Sequence, residues 1–300
     1  MRRPVLPLIL VLLLCSVLSG VRSEPVGMAY LKIGAGADAV GMGDAVVSHV
    51  DGPTATYWNP GALGFLPGLQ VGMVHNESFL SVRQEFAGLV RNLGRWSVGA
   101  SFNGTWTDNL TAYSDSGDSI GYFGYYGYAA ALSGGYRLND TWGVGGSVKL
   151  IQEAIDVWSV SGVAFDLGLQ ARELLPRLDA GVSMLHLGPS LKYVQESFAL
   201  PLTVQGGLTY HLGLPALGAE ALLVAELRKI RKEDASLHIG IEYRLQQAVQ
   251  LRAGYRTGLD TEDVSLGLGF RRGRLQADYA YVPFGEELGN QHRIGLTYRR

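Results

Sequence analysis

Six histidines, at positions 49, 75, 186, 211, 238 and 292, are the side chains best suited to proton transfer or metal binding. Their spacing points to neither, because no His-x-His pair and no His-Glu-x-x-His run occurs. No Gly-x-Ser-x-Gly elbow presents a nucleophilic serine. Gly34, Gly36, Gly41 and Gly43 have the flexibility of a phosphate-cradling loop. A dinucleotide pattern starting at Gly34 would need glycine at 39, where Ala39 stands. These residues imply no catalysis, no cofactor and no metal.

The charged and amide side chains suggest a lining instead. Asp166, Gln170, Glu242, Arg252, Arg256, Asp278 and Arg293 fall on the polar side of alternating segments, as do His211 and His238. Enclosed together, the first seven are candidates to line a lumen. They would either border a pathway or bond one another and the N-terminal segment, as buried polar groups must. The one local basic run, Arg228, Lys229, Arg231 and Lys232, reads as a solvated loop, and Arg271, Arg272 and Arg274 as a charged turn.

Period-two alternation must position these groups. Val163, Phe165, Leu167 and Leu169 alternate with Ala164, Asp166, Gly168 and Gln170. Leu237, Ile239, Ile241 and Tyr243 alternate with His238, Gly240, Glu242 and Arg244. The spacing predicts strands over 70–75, 83–92, 95–104, 124–138, 142–155, 160–172 and 178–188. Seven more follow over 200–212, 220–230, 235–245, 249–258, 263–272, 275–284 and 292–300. Most are long enough to cross a bilayer at a tilt, which takes ~9–11 residues.

Tight links at Leu93-Gly94, Asn139-Asp140-Thr141 and Gly273-Arg274 alternate with longer ones at 105–123, 189–199 and 285–291. Short periplasmic turns and long outer loops are a feature of outer-membrane barrels. Trp96 and Trp142 are placed at one rim, with Tyr122, Phe123, Tyr125, Tyr126 and Tyr128 at the other, as interfacial girdles. The sequence therefore predicts an all-β transmembrane antiparallel barrel of fourteen strands over 70–300. Pro201, Gly206 and Gly207 could kink one wall strand.

Composition agrees. Glycine makes up 41 of 300 residues, about 14%, against an average near ~7%. A formal net charge of −2 supplies no basic face for nucleic acid. Arg2 and Arg3 before an apolar run over 5–18, then Ser19, Gly20 and Ser23, describe a signal peptide over 1–23. Cys15, the single cysteine, lies inside that run, so the mature chain would hold no disulfide and suits a bacterial envelope. The predicted location is the bacterial outer membrane, with membrane lipid as the first partner.

Residues 24–69 do not alternate. The stretch 37–50 can form a short helix with Val40, Val47 and Val50 on one side, although Gly41 and Gly43 each cost it about 1 kcal/mol relative to alanine. An Asn-Pro-Gly turn follows the aromatic pair Tyr57-Trp58. Here Gly41-Met42-Gly43 with Ala45, then Asp51, then Tyr57-Trp58-Asn59-Pro60 and Leu63 resemble the PorV/PorQ family within the FadL-like outer-membrane barrels. The resemblance implies that 24–69 forms a partly helical plug in the lumen. It implies a non-enzymatic accessory that binds a secretion-system or exported protein through the loops 105–123 and 189–199. The alternative it implies is a FadL-like passive transporter holding a hydrophobic ligand between plug and wall.

Overall fold

The computed structural model describes residues 25–78, 81–108, 110–214, 218–246, 248–258, 263–285 and 289–300. The signal peptide, Cys15 and the acidic pair Glu286-Glu287 lie outside the described residues. The strands are β1 (Leu69–Glu77), β2 (Arg83–Leu93), β3 (Trp96–Trp106), β4 (Leu110–Tyr113), β5 (Ser119–Phe123) and β6 (Tyr125–Arg137). They continue as β7 (Trp142–Ile155), β8 (Trp158–Leu175), β9 (Leu178–Leu187), β10 (Leu191–Tyr193), β11 (Glu196–Phe198) and β12 (Thr203–Leu214). The last are β13 (Ala219–Ile230), β14 (Ala235–Leu245), β15 (Val249–Arg256), β16 (Val264–Arg272), β17 (Leu275–Pro283) and β18 (Asn290–Arg299).

Fourteen of these strands close into one antiparallel barrel, sealed where β1 pairs with β18 from Gln70–Arg299 to Glu77–His292. Closure leaves no unpaired edge, which is the condition for crossing a bilayer with strands. The long links differ from simple loops, because 105–123 carries the hairpin β4–β5 and 189–199 the hairpin β10–β11. Both hairpins extend the end opposite the tight turns, which the loop-length rule makes the outer end.

The apolar side of each strand faces outward. Leu132 of β6 is 71% exposed, and Ile239 and Ile241 of β14, Leu251 and Tyr255 of β15 and Leu266, Leu268 and Phe270 of β16 stand exposed on three successive strands. Such a continuous band far exceeds what a water-soluble monomer shows and fits a lipid surround. Trp96 is exposed on the tight-turn rim and packs on Tyr136, ring centroids 4.5 Å apart. Tyr125 departs from the expected girdle. Alternation along β6 turns it into the lumen, where its hydroxyl donates to Glu153 Oε1 at 3.0 Å.

The N-terminal segment fills the lumen. A one-turn 3-10 helix spans Ala29–Lys32, an α-helix Ala37–Gly41, a second Ala55–Trp58 and a 3-10 helix Pro60–Phe65. The helix expected over 37–50 stops at Gly41, because Gly43 (φ +66°) and Asp44 (φ +59°) take left-handed backbone. Val40 then packs with Ala280 and Val282, while Val50 joins a different cluster with Trp58 and Phe86. No kink forms at Gly206-Gly207, since β12 pairs in unbroken register with β13 and β9. Among the described barrel pairings, the register shifts lie between β8 and β9, at Phe165/Leu167 and Ala171/Leu175.

Glycine explains how the plug fits. A Cβ on Gly254 would lie 2.0 Å from Gly43 N, and one on Gly267 3.0 Å from Gly41 Cα. On the other side of the barrel, Gly145 faces the Pro60 carbonyl and Gly181 that of Val47, each leaving 2.1 Å for a Cβ. Backbone meets backbone at these points, and any side chain would push plug and wall apart.

Candidate functional site

The interface between plug and wall is the part of the molecule where polar chemistry concentrates. Asn59 sits at its centre with extended backbone (φ −157°, ψ 96°), so its Oδ1 accepts from Gly61 N–H at 3.0 Å and starts the Pro60–Phe65 helix. Its Nδ2 donates to the carbonyls of Val47 (2.8 Å) and Leu169 (3.1 Å) and to Gln170 Oε1 (3.2 Å). Gln170 in turn donates to the Ser48 carbonyl at 2.8 Å. Trp58 Nε1 donates to the Ala35 carbonyl at 2.7 Å, and Tyr57 Oη to that of Leu31 at 2.8 Å.

The Gly41-Met42-Gly43 turn is held by β14 and β16. Gly43 N–H donates to Ser265 Oγ at 3.0 Å, and its carbonyl accepts from His238 Nδ1 at 2.7 Å. His238 Nε2 faces Ser236 Oγ at 2.9 Å. A serine–histidine contact therefore exists, but its far side is a plug carbonyl, so the pair ties Gly43 to the wall. Asp51 reaches Arg271 and Arg299, each at 3.4 Å.

The seven lumen candidates are all buried, in separate groups. Arg252 joins Glu242 (2.5 Å) to Asp278 (2.7 Å) across β14, β15 and β17. Arg256 pairs with the plug's Asp44 at 3.0 Å, and Arg293 Nη1 donates to the Gly34 carbonyl. Asp166 lies elsewhere, paired with Lys149 at 2.6 Å and accepting from His186 N–H at 2.9 Å.

Several residues of this interface escape sequence reading. Arg228, taken as part of a solvated run, points inward, pairs with Glu226 at 2.7 Å and covers the Trp58 ring at 5.0 Å. Glu226 receives the Val46 and Val47 N–H groups at 3.0 and 2.9 Å. Alternation along β13 carried the signal, since positions 226 and 228 share a face with buried Leu222 and Val224.

Charge settles the plug's own carboxyls. Burial alone would raise the pKa of Asp44, but Arg256, Arg228 and Arg293 hold it below the ordinary value. Asp38 is pushed up to about 6 by burial and by Asp278 close by, with Arg252 opposing. Burial and the Arg244 guanidinium hold His49 down to about 4, so it is neutral at pH 7.

The lumen is not uniformly polar. At its outer end the plug's Met28, Tyr30 and Leu31 pack with Ile151, Val160 and Ala164 of the wall, closed over by Phe198 and Leu200. Next to this apolar lobe a polar cavity of about 480 Å3 reaches Asp44, Arg228, His238 and Arg256. At the tight-turn end a cavity of about 750 Å3 is bordered by His49, Asp179, His211 and Glu220.

The outer membrane protein beta-barrel domain model matches residues 78–299. The chain belongs to this outer membrane protein beta-barrel family, and it is a protein of the bacterial outer membrane. Among solved structures, the family member is similar to the Ralstonia pickettii toluene transporter TbuX, with TM-score 0.67 and 14% identity, covering 89% of this chain and 98% of that one. It is also similar to the CymD monoaromatic hydrocarbon channel, with TM-score 0.66 and 14% identity over 89% and 98% of the two chains. A Pseudomonas aeruginosa FadL homologue gives TM-score 0.63 and 10% identity over 92% and 100%. No curated protein matches in sequence. At these identities the likeness shows a FadL-type fold; these structural neighbours are transporter and channel barrels.

Proposed function

We propose that this family member is a passive outer-membrane transporter of small hydrophobic compounds, with residues 24–69 as its plug once residues 1–23 are removed as a signal peptide. The observation that carries the reading is the apolar lobe shared by Leu31 and Tyr30 of the plug and Val160, Ala164 and Ile151 of the wall. A water-filled porin lumen is polar, whereas apolar side chains of plug and wall meet inside this one. An apolar solute entering beneath the β10–β11 hairpin would gain about 25 cal/mol for each Å2 of surface withdrawn from water. Retention between plug and wall and release after a small plug displacement would suffice for passage down a gradient. No catalytic step is needed.

A photoactivatable, uncharged monoaromatic probe added to the detergent-solubilised protein tests this. Labelling of the peptides around 28–31 and 151–164, competed by unlabelled hydrocarbon, is expected. Labelling restricted to lipid-facing residues such as Leu266 and Ile239 would contradict the reading.

The second reading, a PorV/PorQ-like accessory that binds a secretion-system or exported protein, draws on the outer hairpin β4–β5. Tyr113, Ile120 and Tyr122 stand exposed there, beyond the barrel wall. Affinity purification from solubilised outer membranes would have to recover a protein that is lost when residues 110–123 are removed.

A further inference from the structure

At the tight-turn end, one plug side chain and two wall strands bring together donors that a metal ion would use. His49, Asp179 of β9 and His211 of β12 each offer a ligand atom, all within 4.8 Å of one another. Asp179 Oδ2 and His211 Nε2 are 3.0 Å apart. Two donors bound to one tetrahedral zinc at ~2.0–2.1 Å stand about 3.3 Å apart, so an ion fits between them with little movement.

The surroundings orient these donors. Glu220 Oε1 accepts from His211 Nδ1 at 3.2 Å, so an ion that replaces the proton Nε2 shares with Asp179 would leave Nδ1 as the donor and Nε2 as the ligand. A carboxylate behind a ligating imidazole is the usual support of a bound metal. Asp179 Oδ1 accepts from the Glu173 N–H at 2.8 Å, which leaves Oδ2 directed into the cluster. The cluster borders the cavity of about 750 Å3 at that end, so an ion has room to arrive with its water. The imidazole–carboxylate set suits zinc better than calcium or magnesium, which prefer oxygen-only shells.

We propose that His49, Asp179 and His211 form a zinc-type divalent site, completed by water, that clasps the plug to β9 and β12. Glu220 is a positioning residue for His211. Arg244 is the competitor, because its Nη2 stands 2.7 Å from His49 Nε2 and its charge repels an arriving dication. The site is independent of what passes through the barrel.

Cobalt(II) titration of the chelator-stripped, detergent-solubilised full protein tests the proposal. One equivalent with the visible absorption of low-symmetry four-coordinate cobalt is expected, and zinc should displace it. His49→Ala and His211→Ala should abolish that spectrum, Asp179→Asn should weaken binding, and Glu220→Gln should weaken it about 10–100-fold. Arg244→Ala should tighten it. His292→Ala, at the opposite end, should change nothing, and heat-modifiable gel migration confirms that each variant keeps its barrel. Absence of stoichiometric binding, or binding that persists in both His49→Ala and His211→Ala, as for cations held by residual lipopolysaccharide, would overturn the site.

Discussion

Asn59 of the plug donates its side-chain amide to the Leu169 carbonyl of the wall at 3.1 Å, while the same side chain caps the helix that follows it. One residue thus sets a local turn and the position of that turn in the barrel. Asn59→Ala removes the cap and leaves buried carbonyls of Val47 and Leu169 short of a donor. The expected loss is about 1–3 kcal/mol, read as a lower midpoint for loss of heat-modifiable migration. An unchanged midpoint would mean that the bonds hold nothing together.

Close approach predicts a contrast between two glycines. Gly254→Ala places a Cβ 2.0 Å from Gly43 N and must displace the plug, whereas Gly134 has nothing within 4 Å of a Cβ. Gly254→Ala should make the plug susceptible to protease from the periplasmic or outer side. Gly134→Ala should stay within about 0.5 kcal/mol of wild type.

Arg252 is held between two buried carboxylates, Glu242 and Asp278. Arg252→Met leaves Asp278 without its cation and Glu242 with Arg244 alone, and removing one partner of a buried pair typically costs about 3–5 kcal/mol. The triple change of Arg252, Glu242 and Asp278 to Met, Gln and Asn should recover part of that loss in denaturant unfolding. If the single change is the milder one, the charges do not stabilise the wall.

Asp38 gives the plug a pH dependence. Its folded pKa is pushed up to about 6 from 3.8, so between those values the folded chain binds more protons than the unfolded one. The stabilisation from this group is full below the lower value and is lost as pH rises through the upper one. Asp278, Arg252 and Glu242 are the charged groups around it. Asp38→Asn should raise thermal stability at pH 7 relative to wild type, and the advantage should shrink toward pH 4. An advantage independent of pH would exclude the titration.

Period two made the wall legible because a barrel strand has only two environments, lipid and lumen. Leu237, Ile239 and Ile241 therefore disclosed their neighbours His238, Gly240 and Glu242 as inward-facing. The same rule places Tyr125 and Arg228 inside, and reading them by residue type, as girdle or solvated loop, misplaces both. The plug has no such period. Its helix ends at Gly41, where Gly43 and Asp44 turn left-handed and the backbone lies against wall glycines 254 and 267, a long-range contact invisible in local propensity. The meeting of His49 with His211 is equally hidden, since β9 and β12 become neighbours only when the β10–β11 hairpin is set aside from the wall.

The apolar lobe between Leu31 and Val160 is the proposed stopping place for a crossing solute. Initial uptake of a radiolabelled monoaromatic hydrocarbon by cells with and without the protein measures this most directly. Faster, saturable uptake that Ala164→Arg abolishes, in a variant still folded in the outer membrane, is the predicted result. Uptake at the rate of cells lacking the protein would contradict it.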